Sequence, residues 1–599
     1  NSAFGNTTLQ ANTTGDRHAA FGQGALAANT TGNNNVACGQ NALAVNTTGS
    51  ELTAVGKSAL EQNTTGSYNT AVGYQTLDAN TTGERNVGIG NHALGVNTEG
   101  DYNVAVGMNC LGANTTADNN TAVGYNSLDA NTTGTENCAV GSLALTANTT
   151  GDSNTAMGVF ALGSNTTGDG NTAVGDDALD LNTTGSENVA FGYQALENNT
   201  TAGQNNAVGA YALHANTTGT QNVAMGHNAL GLNTTGSYET AVGYNAAYSN
   251  TTGGVTAFGR NAAYSNTTGH TNVAIGREAS YSITTGSYNT AVGQGALNAA
   301  TTSSCNTAVG WNALTATANQ SFNTAVGSEA LASNTGGEYN VGIGRQTLDA
   351  ATTADNNTAV GTYALGQATT GPNNTAVGYD TLSSVTTSGA NIGLGTRAGQ
   401  YVTTGENNIC IGYRAGAYST NITDGTRNVI AGNYCKTSSA GAYDQIVMGY
   451  NATGSGHETM TFGHAGTDTA CAYGSTSWSA PSDVRLKEEI EDEKIGLDFI
   501  NELRPVTFRW KKEKDVPVDL KAHGSGSEER VMNGKYNHGF IAQEVKEVID
   551  KYPDIKDGFD MWSEDEGDGR QRISESALMP LMVKAIQELS AKITALENA

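Results

Sequence analysis

The stretch APSDVRLKEEI, residues 480–490, brings a Ser, an Asp, an Arg and a Lys together within a few positions. A Ser hydroxyl is a weak nucleophile until a base removes its proton, and a Lys amine is one recurring base. Such a Lys must be desolvated enough for its pKa to fall toward neutrality. The stretch also fits a helix N-cap formed by Ser482 and Asp483, with Glu488 in the favourable first turn. Taken alone, the stretch favours the cap.

The sequence before this stretch is built from a 17-residue repeat, N-x-A-V-G-x-x-A-L-x-x-N-T-T-G-x-x. The period is unbroken from Asn1 to Glu239, shortens to 16 once, at Val255, and loosens to 20, 17 and 14 after Asn408, giving 28 rungs up to about residue 475. Such a short repeat cannot bury a core alone, so neighbouring rungs must cover one another, as in a solenoid. Short Val, Ile and Phe segments between Gly-containing turns predict parallel β rungs rather than helices.

The Asn-Thr-Thr turns have the form of a glycosylation sequon. Rungs ~4.8 Å apart leave no room for a glycan on each one, so we expect a ladder of Asn and Thr side chains hydrogen-bonded along the shaft. Ice binding is disfavoured, because adjacent strand residues point to opposite faces and at most one Thr per turn would face a flat exterior. Cys38 occupies a position filled elsewhere by Val, Phe or Ile, which predicts a small buried hydrophobic side chain.

Composition narrows the function classes. Only 37% of residues are hydrophobic and 14% charged, with six Pro and 77 Gly, which fits periodic β structure better than a solvated coil. The net charge of −27 argues against a nucleic-acid partner. No apolar run approaches the length of a membrane-spanning helix. The seven Cys are odd in number and form no CxxC pair, so neither a disulfide framework nor a zinc site is indicated, and no cofactor is predicted.

A glycan-cleaving enzyme would need paired carboxylates in a groove. The shaft acids Asp16, Asp78, Glu99 and Asp101 fall in or beside the predicted turns. Solvated turn residues are the simpler interpretation, so no such site is predicted.

Rungs such as NTAVGYNSL and NVAIGREAS resemble the head repeats of trimeric autotransporter adhesins, although the period here is longer. The resemblance implies a parallel β-roll in a homotrimer. It leaves a bacterial cell-surface trimeric adhesin as an alternative function.

Four motifs follow in order within the last 118 residues: SDVRLKEEI, GLDFINELRPVTFRWK, HGFIAQEV and LMPLMVKAIQEL. Together they closely resemble the endosialidase-type intramolecular chaperone family, the C-terminal domains of phage tail fibres and tailspikes. The resemblance implies a domain that trimerises, assists folding of the β shaft before it, and then cuts itself off by serine-type autoproteolysis. It therefore reverses the preference for a helix cap.

The resemblance also implies residue roles. Ser482 would be the nucleophile and Lys487 the base, with the scissile bond between Pro481 and Ser482, while His538 would orient groups or relay a proton. A spacing of five residues does not place Ser482 and Lys487 on one face of a strand or helix, so they would meet through a turn or across protomers. Four further residues support the motif match: Asp483, Arg485, Gln543 and Glu544.

The predicted fold is mainly β, with a trimeric parallel β-solenoid shaft over residues 1–475, a junction over 476–481 and a small α+β chaperone domain over 482–599. A trimerising helix is predicted over residues 572–599. Apolar residues spaced 4, 3, 4, 3 form a short heptad seam there, fit for a helical bundle: Met582, Ile586, Leu589, Ile593 and Leu596. The alternative is a single amphipathic helix packed on its own domain.

The sequence thus predicts a homotrimeric tail fibre or tailspike of a virion, assembled in the host cytoplasm and attaching to a glycan or protein receptor on the cell surface. Neither nucleic-acid binding nor membrane insertion is expected. The irregular rungs after Asn408 are the expected receptor-contact region. Because the sequence begins inside a repeat, we expect an anchoring region upstream.

Overall fold

One short strand per repeat stacks in register through the first part of the chain. The computed structural model describes residues 1–475, 487, 489–532, 534–553, 555, 559–564 and 569–599. Contacts divide the chain into two units, Asn1–Pro481 and Ser482–Ala599. The first unit holds a 29-stranded sheet in which only the last strand, β31, is antiparallel to its neighbour, leaving 28 parallel rungs among the described residues. The predicted β-solenoid is confirmed.

The strands of this unit are β1 Ser2–Phe4, β2 Ala19–Phe21, β3 Val36–Cys38, β4 Thr53–Val55, β5 Thr70–Val72, β6 Val87–Ile89, β7 Val104–Val106, β8 Thr121–Val123, β9 Cys138–Val140, β10 Thr155–Met157, β11 Thr172–Val174, β12 Val189–Phe191, β13 Asn206–Val208, β14 Val223–Met225, β15 Thr240–Val242, β16 Val255–Phe258, β17 Asn272–Ile275, β18 Thr290–Val292, β19 Thr307–Val309, β20 Thr324–Val326, β21 Val341–Ile343, β22 Thr358–Val360, β23 Thr375–Val377, β24 Ile392–Leu394, β25 Ile409–Ile411, β26 Ala417–Tyr418, β27 Thr420–Asn421, β28 Val429–Ala431, β29 Gln445–Tyr450, β30 Thr459–His464 and β31 Thr469–Ala472.

The register of the strands confirms the predicted periods. Thr121 lies opposite Cys138, 17 residues further on, and Thr240 lies opposite Thr256 across the single 16-residue rung. The late rungs advance by 20, 17 and 14 residues, beginning with Ile409 opposite Val429. The extra residues of the 20-residue rung form a small hairpin from β26 and β27. Each rung is therefore a coil of a single chain, and consecutive rungs of that chain pair with each other.

The core of a rung is narrow, as the rung that contains β8 shows. Ala122 and Leu128 are fully buried, while Thr121 and Val123 on either side of Ala122 face outward. Leu128 adopts a φ of 52°, a left-handed conformation that costs a non-Gly residue about 1–3 kcal/mol. Burial of its side chain and a 3.0 Å hydrogen bond from its N–H to the Ala144 carbonyl offset that cost.

The outward direction of the third strand residue corrects the prediction for Cys38, which is exposed. Ala37 faces the core, and strand alternation then turns Cys38 outward. The next residue is a Gly in every rung of this kind. At Gly141, which has a φ of 147°, an added Cβ would lie 2.1 Å from the Gly158 carbonyl oxygen of the next rung, so only Gly fits.

Two buried Asn ladders run along the shaft and confirm the predicted hydrogen-bonded turn. Asn131 donates from Nδ2 to Asn114 Oδ1 at 3.1 Å and to the Gly134 carbonyl at 2.9 Å. Asn120, in the second ladder, donates from Nδ2 to the same Gly134 carbonyl at 2.8 Å and accepts a 2.9 Å hydrogen bond from the Asn137 N–H. The Thr132 hydroxyl donates to the Thr149 carbonyl at 3.0 Å. Because the turn Asn is buried, it is not a glycan acceptor.

The C-terminal unit contains three α-helices and two small two-stranded antiparallel sheets within its described residues. Their bounds are α1 Leu497–Glu502, β32 Val506–Phe508, β33 Asn537–Gly539, α2 Ala542–Ile549, β34 Trp562–Glu564, β35 Gln571–Ile573 and α3 Leu578–Glu597, with short 3-10 helices at Glu513–Asp515 and Glu575–Ala577. The predicted start of the last helix at residue 572 is wrong. Residues 571–573 pair with β34 instead, and the helix begins at Leu578.

Candidate functional site

Of the three residues that the sequence predicts to act in self-cleavage, two lie in the described part of the C-terminal unit. Lys487 is exposed, and His538 is exposed at the centre of β33. Pro481, Ser482 and the supporting motif residues Asp483 and Arg485 lie outside the described residues. The pairing of Ser482 with Lys487 therefore stays a prediction.

The two-stranded sheet of β32 and β33 positions His538. The two antiparallel strands place Thr507 directly opposite His538, and Nδ1 of the imidazole lies 3.3 Å from the Thr507 hydroxyl. A hydrogen bond at this distance orients the ring, and an oriented, exposed imidazole can accept or pass on a proton. Sequence reasoning missed Thr507, because neither motif alone shows that VTFRW and HGFIAQEV pair.

Glu544 connects two of the predicted motifs through Arg504. The guanidinium of Arg504 binds the Glu544 carboxylate with two N–H groups, one of them a 2.9 Å bond from Nε to Oε2. Hydrogen bonding to Arg504 lowers the pKa of Glu544. The pair is largely exposed, so it adds little to stability, but its forked geometry fixes the orientation of α2. Gln543, the neighbouring motif residue, is exposed on the same helix.

A small hydrophobic core holds these elements together. Phe499 of α1 is fully buried, and its ring meets those of Tyr552 and Phe559 edge-on, at 5.2 and 5.9 Å between centroids. Val545 and Val548 of α2 belong to the same core, as do Leu578 and Leu581 of α3. The motifs that are separate in the sequence thus share one core.

Residues 482–554 match the model of the family described as chaperone of endosialidase. The C-terminal unit carries a chaperone domain of this family. Self-cleavage is a property of the family, and the match together with the β-solenoid agrees with a tail fibre that ends in a chaperone domain, as the sequence resemblance implies. No curated protein and no solved structure gives a significant match to the chain.

The last helix of the chaperone-bearing unit presents the predicted heptad seam to solvent. Leu578, Leu581 and Ala585 are buried against the unit's own core near the start of α3. The five seam residues are instead 45–78% exposed: Met582, Ile586, Leu589, Ile593 and Leu596. The start of α3 thus packs on its own domain, as the alternative predicts, while the seam residues are left exposed, and the helical bundle stays a prediction.

Aromatic side chains cluster at the irregular end of the shaft. The ring of Tyr434 lies 5.2, 4.8 and 5.9 Å from those of Tyr413, Tyr418 and Tyr450, between centroids, and Tyr450 stacks on His464 at 5.3 Å. Cations lie over two of these rings, with the Arg414 guanidinium 5.7 Å from Tyr413 and the Lys436 amine 5.6 Å from Tyr418. We call these five rings the aromatic cluster. It lies within the region after Asn408 that the sequence predicts for receptor contact.

Acidic side chains elsewhere in the shaft have a structural role in its turns. Asp101 accepts a 2.6 Å hydrogen bond from the Glu84 N–H of the preceding rung, and Asp118 accepts one of 2.7 Å from Asp101. Burial raises the pKa of Asp78, whose carboxylate accepts a hydrogen bond from Gln75.

Among the described residues, no group of three or more His, Cys, Asp or Glu is placed to hold a metal ion. Within the same residues, no helix is long and apolar enough to cross a membrane.

Proposed function

We propose that this chain is the shaft of a homotrimeric phage tail fibre or tailspike that serves in host attachment. Its C-terminal unit aligns three copies during folding, and the chain is then cut between Pro481 and Ser482. The observation that carries the proposal is the chaperone-family match, which begins at Ser482 and follows the solenoid directly. The exposed seam on α3 supports a bundle of three helices. The bacterial adhesin alternative shares the shaft but does not account for this match.

The proposed cleavage is a transfer of the Pro481 acyl group. Lys487 removes the proton from the Ser482 hydroxyl, and the oxygen attacks the carbonyl carbon of Pro481. The bond from this carbon to the Ser482 nitrogen breaks, the nitrogen takes up the proton, and an ester to the Ser482 oxygen remains. Water then hydrolyses the ester, which leaves a carboxylate on Pro481 and a free Ser482 at the start of the released unit.

The exposure of Lys487 bears on when this cleavage takes place. A Lys works as a base only when its surroundings disfavour the charged form, and Lys487 is exposed in the single chain. In the trimer, a neighbouring copy would shield Lys487 from water. Cleavage would then wait for assembly.

Host attachment would use the aromatic cluster near the end of the shaft. Exposed aromatic rings with cations beside them are typical of recognition surfaces. Two of these rings, Tyr413 and Tyr418, lie in the 20-residue rung that carries the hairpin. The receptor would be a glycan or a protein on the host surface.

A denaturing gel of the full chain tests the self-cleavage. We expect the wild type to give a shaft band at about four fifths of the intact 61.3 kDa, whereas Ser482→Ala and Lys487→Gln stay intact. His538→Ala should slow cleavage without abolishing it, since His538 assists the pair. Thr507→Ala should act in the same direction as His538→Ala but more weakly. An intact wild type that is demonstrably trimeric would refute self-cleavage and leave the folding role standing.

A further inference from the structure

One row of outward-facing side chains is apolar along the whole shaft. Each parallel strand contributes one side chain to this row. It is the residue between the buried core residue of the strand and the Gly that follows the strand. We call this row the apolar stripe. Its members are Phe4, Phe21, Cys38, Val55, Val72, Ile89, Val106, Val123, Val140, Met157, Val174, Phe191, Val208, Met225, Val242, Phe258, Ile275, Val292, Val309, Val326, Ile343, Val360, Val377, Leu394, Ile411, Ala431, Met448 and Phe462.

The stripe is not buried by its own chain. Met157 and Phe191 are 46% and 55% exposed, although each lies in register with stripe residues of the neighbouring rungs. The valines of the stripe, such as Val72, are partly exposed. Apolar side chains left partly in water lose the gain that burial would give, about 25 cal/mol per Å². A second surface that covers the stripe would therefore stabilise the shaft.

Strand propensity alone does not explain the stripe. Thr suits a strand as well as Val does, and the other outward position of the strand takes Thr often, as at Thr121, or Asn, as at Asn206. The stripe takes neither. Two residues further along the rung, beyond the Gly, charged side chains such as Lys57 and Asp176 are accepted. Polar residues are thus excluded from this row in particular.

The area of the strand face that carries the stripe suits a stable protein interface. Rungs ~4.8 Å apart and strands of three residues at ~3.3 Å each give the outward strand face, of which the stripe is the apolar row, a length of ~130 Å and a width of ~10 Å, or ~1,300 Å². A stable complex needs about 800 Å² from each partner.

We propose that the apolar stripe is the surface along which copies of this chain pack against one another in the homotrimer, an inference that rests on the proposed function. A partner that covers every rung must itself repeat every ~4.8 Å, which a second copy of this solenoid does. Charge favours the same occupant. The chain carries a net charge of −27, yet both outward strand positions are uncharged in all 28 rungs, so copies that meet there keep their acidic turns apart.

Two native cysteines allow a direct test in the full chain. Cys38 lies in the stripe, and Cys305 lies in the turn before β19; both are exposed in the single chain. The native protein is treated with a maleimide, and the labelled peptides are quantified over time by mass spectrometry. We expect Cys38 to react at least tenfold more slowly than Cys305 in the native protein, and equally fast after denaturation.

A matched pair of variants separates packing between copies from folding of the chain. Phe21→Glu with Val55→Glu places charges on both sides of Cys38 in the stripe, and Thr31→Glu with Thr65→Glu places them in exposed turns of the same rungs. The stripe variant should raise Cys38 labelling at least tenfold, while buried Cys110 stays unlabelled, which shows that the rungs remain folded. The turn variant should leave Cys38 protected.

Light scattering distinguishes failure of the inference from failure of the proposed function, when the mass of one chain, intact or cleaved, is first taken from a denaturing gel of the same sample. A wild type with the mass of three chains whose Cys38 reacts as fast as Cys305 would overturn the stripe as the interface and leave the trimer standing. A folded wild type with the mass of one chain would overturn both. A wild type with the mass of three chains and a protected Cys38 supports both.

Discussion

Glu239 occupies a ladder position that most rungs fill with Asn. Its side chain is fully buried, and it accepts a 2.5 Å hydrogen bond from Asn250 through Oε1. Its other oxygen, Oε2, has no hydrogen-bond partner among the described residues. Burial raises the pKa of Glu239 from 4.5 to about 8. The site lies next to the 16-residue rung, so two departures from the repeat coincide.

Glu239→Gln should remove a pH dependence of stability. The folded state keeps the Glu239 proton up to about pH 8, whereas the unfolded chain releases it near pH 4.5. The wild type therefore loses stability as the pH rises through this window and remains at the lower value above it. We expect the variant to be more stable by a few kcal/mol at pH 8 and little changed at pH 4. Thermal unfolding at both pH values measures the difference.

The exposed Glu136 provides the control for this prediction. Glu136→Gln should shift the unfolding temperature equally at both pH values. If Glu239→Gln behaves in the same way, the carboxyl is ionised in the folded shaft and the argument from burial is wrong.

The conformation of individual residues was the feature that the sequence did not predict. The repeat was enough to predict the rung, but not that the small central residue of each strand faces the core and both of its larger neighbours face outward, as Cys38 shows. Left-handed conformations are expected at Gly and Asn, yet Leu128 and its counterparts adopt them while buried. Only the hydrogen bond to the next rung makes that conformation favourable, and a single repeat does not reveal this bond.

At the scale of elements, the turn ladder should behave as one connected structure. Asn148 donates to Asn131 Oδ1 and to the Gly151 carbonyl, both at 2.9 Å, and accepts from Asn165 at 2.9 Å. Asn148→Ala removes these bonds and leaves buried polar groups unpaired, which should lower the free energy of unfolding by about 2–4 kcal/mol. Resistance to protease and the unfolding temperature measure the loss.

Thr150→Ala in the same turn is the matched control for the ladder, because Thr150 is exposed. It should cost less than about 0.5 kcal/mol. Equal effects of the two variants would show that the Asn ladder does not stabilise the turn.

Elements of the C-terminal unit were predictable where apolar periodicity is strong. The helices around Phe499 and Val545 and the strand before Trp510 follow from their patterns and from Pro505. The strand pair of β34 and β35 was not predicted, although Asp568 and Gly569 between the two strands form a recognised turn signal. Each strand has only three residues, too few to show an alternating pattern, and the pair displaces the start of α3 to Leu578. The Arg504–Glu544 contact joins residues 40 apart, a separation over which one sequence carries no pairing information.

At the scale of the whole molecule, near-identical rungs create a problem of register. A slip of one rung places nearly the same side chains in contact, so three chains can associate out of alignment. Parallel pairing is also slow to nucleate. The C-terminal units would act as a clamp: if three of them associate first, they align the three chains at one end. Only one register is then possible for the shafts.

Refolding from denaturant tests this role of the C-terminal unit. The Ser482→Ala full chain, which retains the clamp, should recover protease-resistant trimers, while residues 1–481 alone should recover at least tenfold fewer. Shaft that was cleaved after folding should nevertheless stay intact in the native buffer, because unfolding is then limited by a kinetic barrier. Ile586→Glu with Leu589→Glu in the full chain charges the exposed seam and should refold as poorly as residues 1–481. Equal recovery of trimers from residues 1–481 and from the full chain would show that register is set within the shaft itself.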